Sequence, residues 1–125
     1  MKTSQAESLS VFMQRMLPKT RGASAVKLAM NYKKINDELS GYREERIKIF
    51  RKYGEEVEDK LIVKEGEKNR PFMDEMNEIG NIDINPDFQI ITLKELEKTD
   101  LSSQDILILM DAGMVKEKED DYSGV

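Results

Sequence analysis

Residues 25–53 read AVKLAMNYKKINDELSGYREERIKIFRKY. Within this stretch Ala25, Leu28, Tyr32, Ile35, Leu39, Tyr42, Arg46, Ile49 and Tyr53 succeed one another at alternating steps of three and four, the spacing that gathers side chains onto one seam of an α-helix. Arg46 is the sole charged residue of the seam. The pattern predicts a helix of roughly 30 residues, about 45 Å long at 1.5 Å per residue. Its other faces carry charge of both signs: eight basic and eight acidic residues lie between Lys33 and Lys60. The spacings Glu44/Lys48, Arg51/Glu55 and Lys52/Glu56 suit i,i+4 pairs on a solvated surface. Ser40-Gly41 falls mid-helix, where glycine is costly and a bend or a close helix crossing is expected. Gly54 is placed to end the helix.

Upstream, Ser4 and Glu7 have capping-box spacing, and Leu9, Phe12, Met13, Met16 and Leu17 follow at helical intervals, so a short amphipathic helix is expected to stop at Pro18. Downstream, Glu55 to Asn69 reads as a mobile connection with a short strand at Leu61-Ile62-Val63. Asn69-Arg70-Pro71 opens a helix carrying Phe72, Met73, Met76 and Ile79, closed by Gly80. Ile82 and Ile84, then Phe88 and Ile90, change to a period of two across Asn85-Pro86-Asp87 and predict a small hairpin. Thr92 and Glu95 have capping-box spacing before a short helical turn. Ser102 or Ser103 caps a last helix that Gly113 terminates. The expected fold is mainly α: a long charged helix in a helical hairpin or coiled-coil-like packing, shorter helices, and a small β element near residues 82–91. Residues 1–115 are read as one α-rich domain and 116–125 as a flexible acidic tail.

The 125 residues carry a net charge of −5, with 36% charged and 6% aromatic residues. Leu, Ile, Val and Phe make up about a quarter of the chain, above the roughly 20% below which highly charged sequences stay disordered. The first residues hold no apolar core of secretory type, and no stretch approaches the 18 apolar residues needed to span a bilayer. A soluble protein with no membrane partner is therefore expected.

With no Cys and no His, thiolate and imidazole chemistry and the common zinc ligand sets are excluded. Carboxylates remain as acid/base candidates. Glu44-Glu45, Glu55-Glu56 and Asp120-Asp121 lie in charge-dense stretches, without the burial that separates the pKa values of an acid/base pair. Asp83-Ile84-Asn85-Pro86-Asp87 spaces oxygen ligands but lacks the glycine and terminal glutamate of a calcium loop. No glycine-rich phosphate loop is present. The expectation is a non-enzymatic protein with no catalytic residues, no cofactor and no metal.

Charge is unevenly distributed. Residues 1–36 carry seven basic residues and one acidic, and the remainder 13 basic and 24 acidic. Arg15, Lys19, Arg21, Lys27, Lys33 and Lys34 occupy a stretch free of acidic residues and form a possible basic patch for phosphate or an acidic protein surface. The plainer explanation is that this segment folds against the acidic remainder, and the lack of interleaved aromatics makes nucleic acid the less favoured partner. The long helix outruns its neighbours, so its seam near Tyr42, Arg46, Ile49 and Tyr53 is expected to meet a protein partner or a second copy.

LAMNYKKINDEL (28–39), YREER (42–46), KYGE (52–55), ITLKEL (91–96) and LSSQDI (101–106) together resemble a group of small uncharacterised proteins encoded in phages and prophages of bacteria. In that group a Lys/Glu-rich helix precedes a Lys-Tyr-Gly/Ala-Glu turn, a variable acidic connection and a short β-plus-helix tail. The resemblance spans residues 20–115 and transfers no binding residue. It implies a viral accessory or structural role, in the host cytoplasm during infection or in the virion. The leading expectation is a phage protein that binds other proteins as a virion component or assembly factor. The alternatives are an inhibitor of a host defence or replication enzyme, by protein binding or acidic nucleic-acid mimicry, and a small helical nucleic-acid binder using the basic segment.

Overall fold

The computed structural model describes residues 1–63 and 69–117. These residues are mainly helical, with the long helix in place and a few short strands. Helix α1 spans Thr3–Met16 and α2 Gly22–Tyr53. Strands β1 (Glu55–Val57) and β2 (Lys60–Ile62) precede α3 (Asn69–Gly80). After α3 come β3 (Ile91–Thr92), α4 (Leu93–Leu96), α5 (Ser103–Asp111) and β4 (Val115–Lys116). At 32 residues α2 is about 48 Å long, and the seam residues Leu28, Ile35, Leu39 and Ile49 are buried as their spacing predicts. Pro18 sits in a single 3-10 turn, Leu17–Lys19, that ends α1.

The chain divides into two units, one of Met1–Glu7 with Glu38–Asn85, the other of Ser8–Asp37 with the residues from Pro86 onward. In the first, the start of the chain is tied down by residues 79–84. Thr3 N–H donates to the Ile82 carbonyl at 2.9 Å, Ile84 N–H to the Met1 carbonyl at 2.7 Å, and Thr3 Oγ1 to the Ile79 carbonyl at 2.5 Å. Ser4 is therefore inside α1 and not its cap. The free N–H of Lys2 is met by Gln5 Oε1 at 2.9 Å, which satisfies one of the donors a helix start leaves open.

At the far end of α2 the Gly54 N–H returns to the Phe50 carbonyl at 2.7 Å. The chain passes so close there that a Cβ on residue 54 would collide with that carbonyl. Phe50 and Tyr53 both meet the Phe72 ring of α3 edge-on, with centroids 5.0 and 6.3 Å apart, the arrangement that aromatic quadrupoles favour. Lys52 pairs with Glu75 at 3.1 Å and Lys48 with Glu45 at 3.1 Å. The short strand expected at Leu61-Ile62-Val63 is met by β2, and Glu55 to Ile62 form an antiparallel hairpin, with Glu55 opposite Ile62 and Val57 opposite Lys60; residues 64–68 of the expected mobile connection lie outside the described residues. Its two turn residues, Glu58 and Asp59, have φ of 50° and 65°, as a two-residue hairpin turn following the strand twist requires.

The second unit is held together by side chains of α2. Lys27 Nζ, the Asn31 amide and Lys34 Nζ, one turn apart on α2, bond the backbone carbonyls of Ile90, Gln89 and Asp87 at 2.9, 2.9 and 2.5 Å. Helix and extended segment thus run antiparallel, with the helix supplying donors that a strand partner would otherwise supply. This corrects the expected hairpin around Asn85-Pro86-Asp87. The β element near 82–91 is present, but Asp83 bridges Lys2, and Ile91–Thr92 pairs in parallel with Val115–Lys116. Ile91, Leu96, Leu109, Met114 and Val115 are buried in this unit, with Leu28 and Ile35 of α2.

Both predicted C-terminal caps form: Thr92 with Glu95 starts α4, and Ser102 with Asp105 starts α5. Gly113, at φ 81°, ends α5. Its N–H reaches the Met110 carbonyl and that of Met114 the Leu109 carbonyl, both at 3.0 Å, the paired bonds of a Schellman motif. Lys116, read from sequence as the start of the acidic tail, is the second residue of β4. Residues 118–125 of that tail lie outside the described residues.

Candidate binding groove

Positions 43, 46, 47 and 50 of α2 are separated by three, one and three residues and so share one face of the helix. Arg43, Arg46, Ile47 and Phe50 line a groove of about 380 Å³, completed by Glu7 of α1. The Arg43 guanidinium forks onto the Glu7 carboxylate, with Nε to Oε2 at 3.0 Å and Nη2 to Oε1 at 3.4 Å. This charge-assisted pair fixes one wall. The Arg46 guanidinium of the same lining lies 5.5 Å from the centre of the Phe50 ring, within range of a cation–π contact. Arg46 has no carboxylate partner among the described residues. Ile47 is 50% exposed, and Phe50 is half-buried through its edge contact with Phe72. The groove therefore combines an apolar floor with one guanidinium neutralised in place and one left for solvent.

Of the four seam residues expected to meet a partner, Arg46 alone lines this groove. Tyr42 and Tyr53 are half-buried, Tyr53 through its contact with Phe72. Ile49 is buried within its own unit at 7% exposure, which corrects its assignment to an open surface. The open face is displaced by one residue, about 100° around the helix axis. Arg43 and Ile47 were legible only as members of a charged, solvated face.

The six residues of the possible basic patch all have partners within the chain. Lys27 pairs with Glu95 at 2.9 Å, Lys33 with Asp37 at 2.8 Å, Lys19 with Asp105 at 3.7 Å and Arg21 with Asp100 at 3.7 Å. Lys34 is bonded to the Asp87 carbonyl, and Arg15 lies 5.8 Å from the Phe12 ring centre. The Thr92 backbone N–H, with Lys27 and the Thr92 hydroxyl, holds the Glu95 carboxyl below its usual range against the opposing effect of burial. Tyr53 and then Lys52 do the same for Glu75.

Among the described residues no three acidic side chains converge as metal ligands, and no helix is long and apolar enough to cross a membrane. No known protein family, curated protein or solved structure shows significant similarity to the chain.

Proposed function

We propose that the chain works by binding another protein and not by catalysis, as a component or assembly factor of a bacteriophage particle. The observation that carries this reading is the groove on α2, where exposed Ile47 and the half-buried Phe50 ring lie beside the Arg46 guanidinium, which meets no carboxylate among the described residues. Protein interfaces favour this combination, with Arg and aromatic side chains over-represented at their energetic centres. The phage context rests on the resemblance of residues 20–115 to small phage and prophage proteins. The pairing of Lys19, Arg21, Lys27 and Lys33 with carboxylates of the same chain weighs against a nucleic-acid interface, because charges already neutralised release fewer counterions from a phosphate backbone.

Mass spectrometry of purified particles, from the phage or induced prophage that encodes the chain, tests this reading. The expected result is the protein at a fixed stoichiometry to the capsid or tail proteins, or in assembly intermediates. Its absence from both, with recovery on a host enzyme, would replace this reading with that of an inhibitor.

A further inference from the structure

The groove also constrains the chemistry of what enters it. Glu7 is already committed to Arg43 through two bonds, so Arg46 is the cation of the lining that meets no carboxylate among the described residues. It is held against the Phe50 ring, which limits the rotamer freedom lost when a carboxylate binds. Immediately beside it, Glu44 and Glu45 are exposed and the chain as a whole is negative. A polyanion such as nucleic acid would be repelled by these neighbours, whereas a single carboxylate meets Arg46 alone. The apolar floor of Ile47 and Phe50 needs an apolar side chain to cover it. A volume of about 380 Å³ lies toward the low end of the roughly 300–1,000 Å³ typical of ligand sites, suited to a few side chains of one segment.

We infer that the groove receives an acidic peptide segment of a partner protein, with an Asp or Glu carboxylate on the Arg46 guanidinium and a neighbouring aliphatic or aromatic side chain against Ile47 and Phe50. This deepens the protein-binding reading above and rests on it. Arg46 provides the selective contact by charge complementarity, and Ile47 with Phe50 supplies the area.

The test is a selection of random 12-residue peptides displayed against the intact chain, followed by fluorescence titration of the enriched peptides. Enriched sequences should carry Asp or Glu within one to four residues of Leu, Ile, Phe or Tyr. Arg46→Glu and Ile47→Glu should each weaken them by at least about tenfold. Val26→Glu, an exposed position of the other unit, should leave them unchanged. The Arg46→Glu chain should in turn select peptides bearing Lys or Arg. All of these substitutions fall on exposed residues, and helical circular dichroism checks that each variant is folded.

Enriched peptides without acidic residues, binding indifferent to Arg46→Glu, or no enrichment at all would each overturn the groove assignment. Self-association abolished by Arg46→Glu would overturn it in favour of a second copy as the occupant. Peptides that bind but respond to Val26→Glu and not to Arg46→Glu would overturn the groove while leaving the protein-binding reading intact. Particle composition tests that broader reading separately.

Discussion

The side chain of Asn31 pairs with both backbone polar groups of Gln89: its Nδ2 donates to the Gln89 carbonyl at 2.9 Å and its Oδ1 accepts the Gln89 N–H at 2.7 Å. Asn31 is fully buried, and no other polar side chain has the same shape with a donor and an acceptor side by side. It completes, from a helix, the pair of bonds that a neighbouring strand would make. The segment before β3 can therefore lie extended against α2 without an adjacent strand.

Replacing Asn31 with Leu should accordingly cost more than the loss of one hydrogen bond, since it removes both bonds to the Gln89 backbone at once. About 1–3 kcal/mol is expected, from roughly 0.5–1.5 kcal/mol per lost bond. Urea unfolding measures the loss, and amide exchange at Gln89 should accelerate more than exchange in α5. An Asn31→Asp chain keeps the acceptor but loses the donor, so it should be destabilised further as pH rises and the buried carboxyl ionises.

Glu95 makes folding sensitive to acid in a defined direction. Its folded pKa is depressed, first by the Thr92 N–H and then by Lys27, so the unfolded chain binds the proton more readily. The stabilisation is fully present above the usual glutamate value of 4.5 and is lost as pH falls through the depressed folded value. Chemical unfolding from pH 7 to pH 3 should show stability falling in the acid range, and Glu95→Gln should flatten that part of the profile. At pH 7 the same substitution should cost about 1–3 kcal/mol through the charged hydrogen bonds it weakens.

What the sequence disclosed follows the range of the interactions involved. The capping pair Thr92 with Glu95, the serine cap of α5 and the Gly113 terminator are local chemistry spanning a few residues and could be read directly, although the sequence offers Ser102 and Ser103 equally and does not single out Asp105. The pairings of Lys2 with Asp83 and of Ile91 with Val115 join distant residues, and two-residue strands leave no periodicity to find. The β1–β2 hairpin was hidden for another reason. Its turn is Glu58-Asp59 and not the Asn-Gly or Asp-Gly that announces such a turn. At the groove, Arg46 stood out as a charge within an apolar seam. Arg43 did not, because only its pairing with Glu7 separates it from the other charges of α2.

The seam and the groove face of α2 should respond oppositely to truncation. Leu39 has no exposed surface, so Leu39→Ala should cost about 2–5 kcal/mol, the range for a buried leucine whose cavity only partly collapses. Ile47→Ala, at a half-exposed position of the same helix, should stay within about 0.5 kcal/mol. Thermal and urea unfolding of the two variants side by side makes the comparison. A cost for Ile47→Ala approaching that of Leu39→Ala would mean that the groove face is packed in solution.

Gly41 supplies the last contrast. A glycine in the middle of a 32-residue helix suggests a helix crossing too close for a side chain, yet among the described residues nothing comes within 4 Å of where a Cβ would sit. Its backbone has no positive φ either, so neither of the usual reasons for glycine applies in the folded chain. Alanine at this position meets no steric cost and reduces the conformational freedom of the unfolded chain. Gly41→Ala should therefore raise stability by about 0.5–1 kcal/mol, visible as a higher urea midpoint with an unchanged slope. A loss of stability would show that another surface approaches α2 at Gly41 in solution, and sedimentation of the wild-type chain would then determine whether that surface belongs to a second copy.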